Sequence, residues 1–365
     1  MTIPVRKLLV LLFLFFFSLP GVPAYSQSSS SQSFSKVLKS IHKSLPADAA
    51  QSRSAGRHQR SIVNLTDDSD IKRKPRNGSN LSAQSVRRKI SSRSALVIDS
   101  ETGDIVYAQA PDVAAQPAST IKIITGLLAL QSLEKTDLVK TSRKAAEMPR
   151  SKIYLKRGKS YPADDLINAV LLSSANDASV ALAEKIAGSE RIFAKLMTYK
   201  AKIWGARNTV CKTATGLTVR GQKSTVRDLA VIFNKAMENE EFARKMATSK
   251  VRTKDGKMLR THNRALWTVD GTEGGKTGYT NAARQTYVGK FSRDGIELTV
   301  AIMGSETMWD DIYTLVEYGF AKKIEEGAVF AQDSSDHDSV LTDMTSPKQG
   351  YSLQVISEIN KISHL

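Results

Sequence analysis

Cysteine is nearly missing from this 365-residue chain, where Cys211 stands alone. One thiol closes no internal disulfide, so a fold held by covalent staples is excluded and stability must come from a buried core. Histidine is scarce too. Its five residues show none of the paired spacings of a metal site. Long hydrophobic runs are confined to the beginning, where LLVLLFLFFFSL (Leu8 to Leu19) follows Arg6 and Lys7. Pro20 and small residues around Ala24, Tyr25 and Ser26 close it. A charged, apolar, then small layout, too short for a comfortable span, is that of a secretory signal peptide over residues 1–26. The expected location is outside the cytoplasm, in a periplasm or cell envelope; an uncleaved N-terminal anchor is the alternative.

Acidic residues are also short in supply, 36 against 53 Lys and Arg, for a net charge of +17. The imbalance is local. Residues 27–93 hold 14 Lys and Arg against four Asp, and the remainder of the mature chain is close to neutral. A uniformly basic protein would suggest nucleic acid; a basic arm on a near-neutral body suggests instead a tether to an anionic membrane or wall polymer. A solvated linker is the equal alternative. The arm begins QSSSSQS and has too few apolar residues to offset the entropy of ordering, so disorder is expected through Arg93. Only FSKVLKSIHKSL (Phe34 to Leu45) has the spacing of a brief amphipathic helix.

What is present points to an α+β body. SALVIDSETGDIVYAQ reads as a hairpin, with β-rich runs Ala95–Asp99 and Asp104–Ala108 around a Glu-Thr-Gly-Asp turn. Helical spacing follows after Pro117, across YPADDLINAVLLSSANDASVALAEKIAGSERIFAKLMTYKAKIWGA with breaks at Ser173–Asp177 and Gly188, and in STVRDLAVIFNKAMENEEFARKMA. From about Lys250 the texture returns to short strands, and WDDIYTLVEYGFAKKI closes as a helix. Strands at both ends with helices between predict one antiparallel sheet with packed helices, over 94–324. Residues 325–365 read as a loop-like tail with a possible short helix near its end.

Three short motifs carry chemistry. In QPASTIKIIT, Ser119 and Lys122 lie three apart at a helix start, close enough for Nζ to meet Oγ. A neutral amine can take the proton that keeps a serine hydroxyl unreactive. Burial and a neighbouring positive charge lower a lysine into that range. The helix N-terminus offers free N–H groups where an acyl oxyanion would form. SSANDA supplies Ser174 and Asn176 in a turn between helices. GGKTGYT supplies Lys276, Thr277 and Gly278 on a strand, where the glycine lets a substrate backbone approach. Each is bland alone; in this order they match the S-x-x-K, S-x-N and K-T-G set of penicillin-binding proteins and class A β-lactamases.

The chain therefore resembles the low-molecular-mass penicillin-binding proteins, the serine D-alanyl-D-alanine carboxypeptidases and their endopeptidase relatives. The similarity runs from about Ser94 to Phe320 and includes RGKSYPADDLINAVLLSSANDASVALAEKIAGS, TATGL, STVRDLA and VEYGF. The resemblance implies the β-lactamase/DD-peptidase-like fold and acyl transfer from D-alanyl-D-alanine stem peptides of peptidoglycan to Ser119, then to water. It implies Lys122 as base, Ser174 as proton relay, and Asn176 on the substrate amide. Lys276 would hold Ser174 and keep Lys122 neutral, with Thr277 on the terminal carboxylate. The N–H groups of Ser119 and Tyr279 would form the oxyanion hole. β-Lactam antibiotics would be covalent inhibitors, and no metal or cofactor is called for.

Departures leave alternatives open. Where many relatives read Ala-Gly, this chain has Ala283-Arg284, and the arginine that relatives often carry near Trp309 and Asp310 is missing. Arg284 is the candidate replacement for gripping the terminal carboxylate. The stretch after Phe320 is too short for the β-rich C-terminal domain of many family carboxypeptidases, which keeps cleavage of D-alanyl-meso-diaminopimelate cross-links open. A β-lactamase is disfavoured, since TATGLTVRGQKSTVRDLA has no acid before Asp228. A non-catalytic wall-binding protein is the remaining alternative.

Overall fold

The computed structural model describes residues 82–343. The expected signal peptide, the arm up to residue 81 with its short amphipathic segment, and the stretch from 344 onward lie outside the described residues.

Helix α1 (Ala83–Lys89) precedes the hairpin of β1 (Ser94–Asp99) and β2 (Ile105–Gln109). The hairpin turn is tied by Asp99, whose Oδ1 accepts from the amides of Glu101 and Thr102. A 3-10 turn (Ala118–Ile121) leads into α2 (Lys122–Ser132), followed by β3 (Leu138–Lys140), α3 (Arg143–Ala146) and β4 (Ser160–Pro162). Four longer helices come next: α4 (Ala163–Leu171), α5 (Asn176–Ala187), α6 (Glu190–Ile203) and α7 (Val226–Met237). Then come α8 (Glu240–Met246), β5 (Lys250–Arg252), β6 (Met258–Arg260) and α9 (Ala265–Thr268). The strands β7 (Thr272–Thr280), β8 (Arg284–Arg293) and β9 (Ile296–Ser305), with α10 (Met308–Asp343), complete the described chain.

The principal sheet is antiparallel, in the order β2-β1-β9-β8-β7. Both of its faces are covered, so β1 reads as a continuous buried run, SALVID, without the alternation of a half-exposed strand. One face carries Ala95, Val97, Val300 and Ile302 against Val86 and Ile90 of the N-terminal segment and Ile312, Leu315, Val316 and Phe320 of α10. Each of the valine, leucine, isoleucine and phenylalanine side chains taken from water contributes roughly 1.5–3 kcal/mol. The other face packs on α7, and beyond it α2 runs through the helical half with α4, α5, α6, α7 and α8 around it. Every residue of α2 from Lys122 to Ala129 is buried, as a helix apolar on all sides requires. The sheet edge β7 also lies against the turn that opens α2. That places the Ser-Lys motif and the Lys-Thr-Gly motif at one seam.

Two expectations are corrected. Disorder does not extend to Arg93: Ser82 caps α1, Val86 is fully buried, and Ser91 and Ser92 are bound by the buried carboxylate of Asp311. The same carboxylate accepts from Ser305 and Thr307, so one acid on α10 ties the entry of β1 to the exit of β9. The anchor lies 219 residues from Ser92, beyond any local pattern. The closing helix likewise runs on past residue 324 to Asp343, where a loop-like tail was expected.

Candidate active site

Ser119 sits in the 3-10 turn, half-buried, and Lys122 is wholly buried at the first position of α2. Lys122 Nζ lies 2.9 Å from Ser119 Oγ, 2.8 Å from Asn176 Oδ1 and 2.6 Å from the carbonyl oxygen of Thr215. A charged ammonium would donate to all three. A neutral amine has two N–H bonds, which suit the two fixed oxygens, and its lone pair then faces the serine hydroxyl. Burial first, and the positive charge of Lys276 second, hold Lys122 well below the usual lysine range, against the opposing pull of Asp177 and Glu190. The geometry accommodates the neutral amine, and burial with the Lys276 charge favours it.

Ser174 occupies the bend between α4 and α5 in the left-handed region, at φ +55°. Non-glycine residues adopt this conformation at a cost of roughly 1 kcal/mol or more, and such strain collects at functional sites. It sets Ser174 Oγ 3.0 Å from Lys276 Nζ, which also donates to the carbonyl of Thr277 at 2.9 Å. Lys276 is buried in β7, and that burial lowers its pKa to about 7. Asn176 is bonded within the protein at both ends of its carboxamide. Its Oδ1 accepts from Lys122, and its Nδ2 donates to the carbonyls of Pro149 and Arg150 at 3.0 and 3.1 Å. Both N–H bonds are committed within the protein, so Asn176 positions Lys122 and the loop before it.

The seam is unusually tight. A β-carbon on Gly278 would stand 2.7 Å from the amide nitrogen of Ser119, and one on Gly216 would stand 1.9 Å from the carbonyl oxygen of Ala118. Only glycine allows both approaches. Ala118 itself is held at φ +49° between them. Thr277 is half-buried beside Lys276, and Tyr279 is 58% exposed at the end of the strand. Arg284 lies opposite Thr280 across the β7–β8 turn, with its guanidinium 3.2 Å from Glu306. Its φ of +58° is one that glycine adopts freely and an arginine rarely does.

Three contributors escaped the motif reading. Asp177 is fully buried, and its carboxylate accepts from the amides of Ile153, Leu155 and Ala178, fixing the loop over the second motif. Its position inside SSANDA was the available signal. Thr215 acts through a backbone carbonyl, which no side-chain pattern reveals. The TATGL segment that carries it is held by Thr125, which donates to the carbonyl of Ala214, and by Glu190, which accepts the Ala214 amide. His262 borders the recess beside Ser173; desolvation first, with the nearby Lys276 and Lys122 adding to it, pulls its pKa to about 4, so the ring is neutral at ordinary pH. Asp228 is buried within α7 and accepts from Thr209 at 2.7 Å, a structural assignment for that acid.

Residues 80–307 match the D-alanyl-D-alanine carboxypeptidase family, peptidase S11. The chain belongs to this family. A D-alanyl-D-alanine carboxypeptidase of Mycobacterium tuberculosis, DacB2, is 37% identical over 237 residues, 62% of this chain and 81% of that protein. DacF of Bacillus subtilis is 34% identical over 224 residues, 59% of this chain and 58% of that protein. Among solved structures, penicillin-binding protein D2 of Listeria monocytogenes in its ampicillin-bound form superposes with a TM-score of 0.59 at 28% identity, over 63% of this chain and 98% of that one. The family match thus begins at residue 80, ahead of α1, and takes in all three motifs of the cleft.

Proposed function

We infer that the protein is a serine-type D-alanyl-D-alanine carboxypeptidase acting on peptidoglycan stem peptides. The observation that carries the reading is the buried Lys122 amine, 2.9 Å from Ser119 Oγ with its two N–H bonds met by Asn176 and Thr215. Neutral Lys122 takes the Ser119 proton as Oγ attacks the carbonyl of the penultimate D-alanine. The N–H groups of Ser119 and Tyr279 receive the oxyanion. Ser174 gives its proton to the nitrogen of the departing D-alanine and takes one from protonated Lys122, so the C–N bond breaks, Lys122 is neutral again and an ester is left on Ser119. Water then attacks the ester carbonyl as Lys122 takes its proton, and that proton passes to Ser119 Oγ as the ester bond breaks and the shortened peptide leaves.

The cleft also suits an extended peptide. β7 is an edge strand, and its free side at Lys276–Tyr279 can pair with a substrate backbone. Lys276, with Thr277, supplies positive charge and a hydroxyl for the terminal carboxylate. β-Lactams, which present a strained amide to the same serine, act as covalent inhibitors. Export through the N-terminal signal places the enzyme in the periplasm or cell envelope where its substrate lies, with the basic arm on an anionic membrane or wall polymer. Among the described residues no helix is long and apolar enough to cross a membrane.

The test is a time course of intact mass after adding penicillin, with D-alanine release from a pentapeptide measured beside it. A Ser119-dependent adduct lasting minutes or longer and Ser119-dependent release of D-alanine are expected. Rapid loss of the adduct as drug is consumed would indicate a β-lactamase, and no adduct with no release would leave a wall-binding protein. Cross-linked dimers in the same assay separate carboxypeptidase from endopeptidase action.

A further inference from the structure

Beside the cleft, an open cavity of about 320 Å³ is bordered by Ser173 and His262 on one side and by Arg150, Lys152, Tyr154 and Lys257 on the other. Three of these are cations gathered around one ring. The Arg150 guanidinium lies 5.9 Å from the Tyr154 centroid, and the Lys152 and Lys257 ammonium groups lie 5.4 Å from it. Like charges this close repel unless something offsets them, and a ring face offsets only part of that repulsion. Among the described residues none of the three forms an ion pair. Arg150 donates to Tyr154 Oη, Lys152 to the carbonyl of Ala146, and Lys257 to the carbonyl of Ile153.

The acids within reach are committed elsewhere. Asp255 accepts from Thr253 and pairs with Lys159, and Asp165 accepts the Lys254 amide. The cluster is also built rather than loose. Tyr154 is held at φ +61° while the amides on either side of it, at Ile153 and Leu155, donate to buried Asp177. The Asn176 amide donates to the Ser151 carbonyl at 2.7 Å, so the loop hangs directly on the second motif. His262 stays neutral and adds no charge of its own. The result is a positively charged recess bordered by Ser173, the residue next to Ser174.

We propose that this recess binds a second carboxylate of the substrate, one lying upstream of the terminal D-alanyl-D-alanine. The inference rests on the carboxypeptidase reading above, which assigns the terminal carboxylate to Lys276 and Thr277. Because Ser173 borders the recess and is next to Ser174, an acyl chain that left the cleft on that side would reach these cations. Stem peptides carry two upstream carboxylates, on the D-glutamyl residue and on the side chain of a diamino-acid third residue. Either has the required chemistry, and amidation of either removes it.

The experiment compares kcat/KM for four pentapeptides ending in D-alanyl-D-alanine: both upstream carboxylates free, each amidated singly, and both amidated. The protein is the full chain, with a Lys152→Gln/Lys257→Gln variant beside it, and penicillin acylation and melting report that the variant is folded. Two half-exposed contacts to a carboxylate are together worth about tenfold in kcat/KM, carried mainly by KM. The free peptide is expected to lead the doubly amidated one by that factor, with the singly amidated pair identifying which carboxylate is read. In the variant the preference should fall to near unity, and added salt should shrink it in the native protein. Equal hydrolysis of all four peptides by the native protein overturns the proposal, as does a preference that survives in the variant. Penicillin acylation without hydrolysis of any pentapeptide would instead overturn the carboxypeptidase reading, and this one with it.

Discussion

Replacing Gly278 by alanine adds one carbon at the point where β7 touches the nucleophile turn. That carbon would stand 2.5 Å from Thr286 Oγ1, 2.7 Å from the Ser119 amide nitrogen and 3.0 Å from that of Thr120. Thr286 cannot swing away cheaply, because its hydroxyl donates to the carbonyl of Pro117 at 3.0 Å. Ordinary contact begins near 3.4 Å, so strand and turn must part by about 0.7 Å, close to the scale at which misplacement costs on the order of 100-fold in rate. The two N–H groups proposed for the oxyanion lie on opposite sides of this contact, on Ser119 and Tyr279, so the separation falls directly on them. The expected loss is about 2–3 kcal/mol of transition-state stabilisation, read as a fall of about 100-fold in the second-order rate of Ser119 acylation by penicillin. Overpacking should also lower the melting temperature, by about 1–3 kcal/mol in stability. Acylation within about threefold of the native rate, with unchanged melting, would refute the argument that this seam sets the oxyanion geometry.

Acylation should rise with pH as Lys122 loses its proton, and binding of carboxylate substrates should weaken as Lys276 loses its charge above about 7. Because the charge of Lys276 helps lower Lys122, Lys276→Gln should move the rising limb of penicillin acylation to higher pH; a limb that stays in place would show that burial alone sets Lys122. Asp177→Asn presents an amide to backbone N–H groups that now meet a carboxylate, at an expected cost of about 3 kcal/mol and about 10 °C in melting temperature. An unchanged melting curve would mean the 151–155 loop is held some other way. Arg284→Ala should raise KM for D-alanyl-D-alanine peptides severalfold while leaving kcat and penicillin acylation nearly intact. Unchanged KM would confine Arg284 to its pair with Glu306.

The local elements were legible because each rests on near-neighbour physics. The hairpin of β1 and β2 follows from its Glu-Thr-Gly-Asp turn, the end of α5 from Gly188 at φ +71°, and the burial of α2 from its apolar run. The three reactive motifs were legible for a similar reason, since each keeps its chemistry within a few residues. The extent of the ordered body was not. Ser91 and Ser92 look like part of a polar arm until Asp311 reaches them, and composition carries no information about a partner more than 200 residues away.

By itself, the sequence determined that a serine, a buried-type lysine and two supporting motifs occur in the order of a D-alanyl-D-alanine carboxypeptidase, on an α+β chain with one cysteine and a basic arm. Only the tertiary structure decided how those groups are used. Asn176 turns inward because Lys122, Pro149 and Arg150 take its whole carboxamide. Thr215 contributes a carbonyl because Thr125 and Glu190 hold its segment against α2. Lys122 is held well below the usual lysine range because burial and Lys276 act on it together. The physical reason is common to all three: a pKa or a filled hydrogen-bond set depends on what surrounds an atom, and those surroundings come from parts of the chain that meet only on folding.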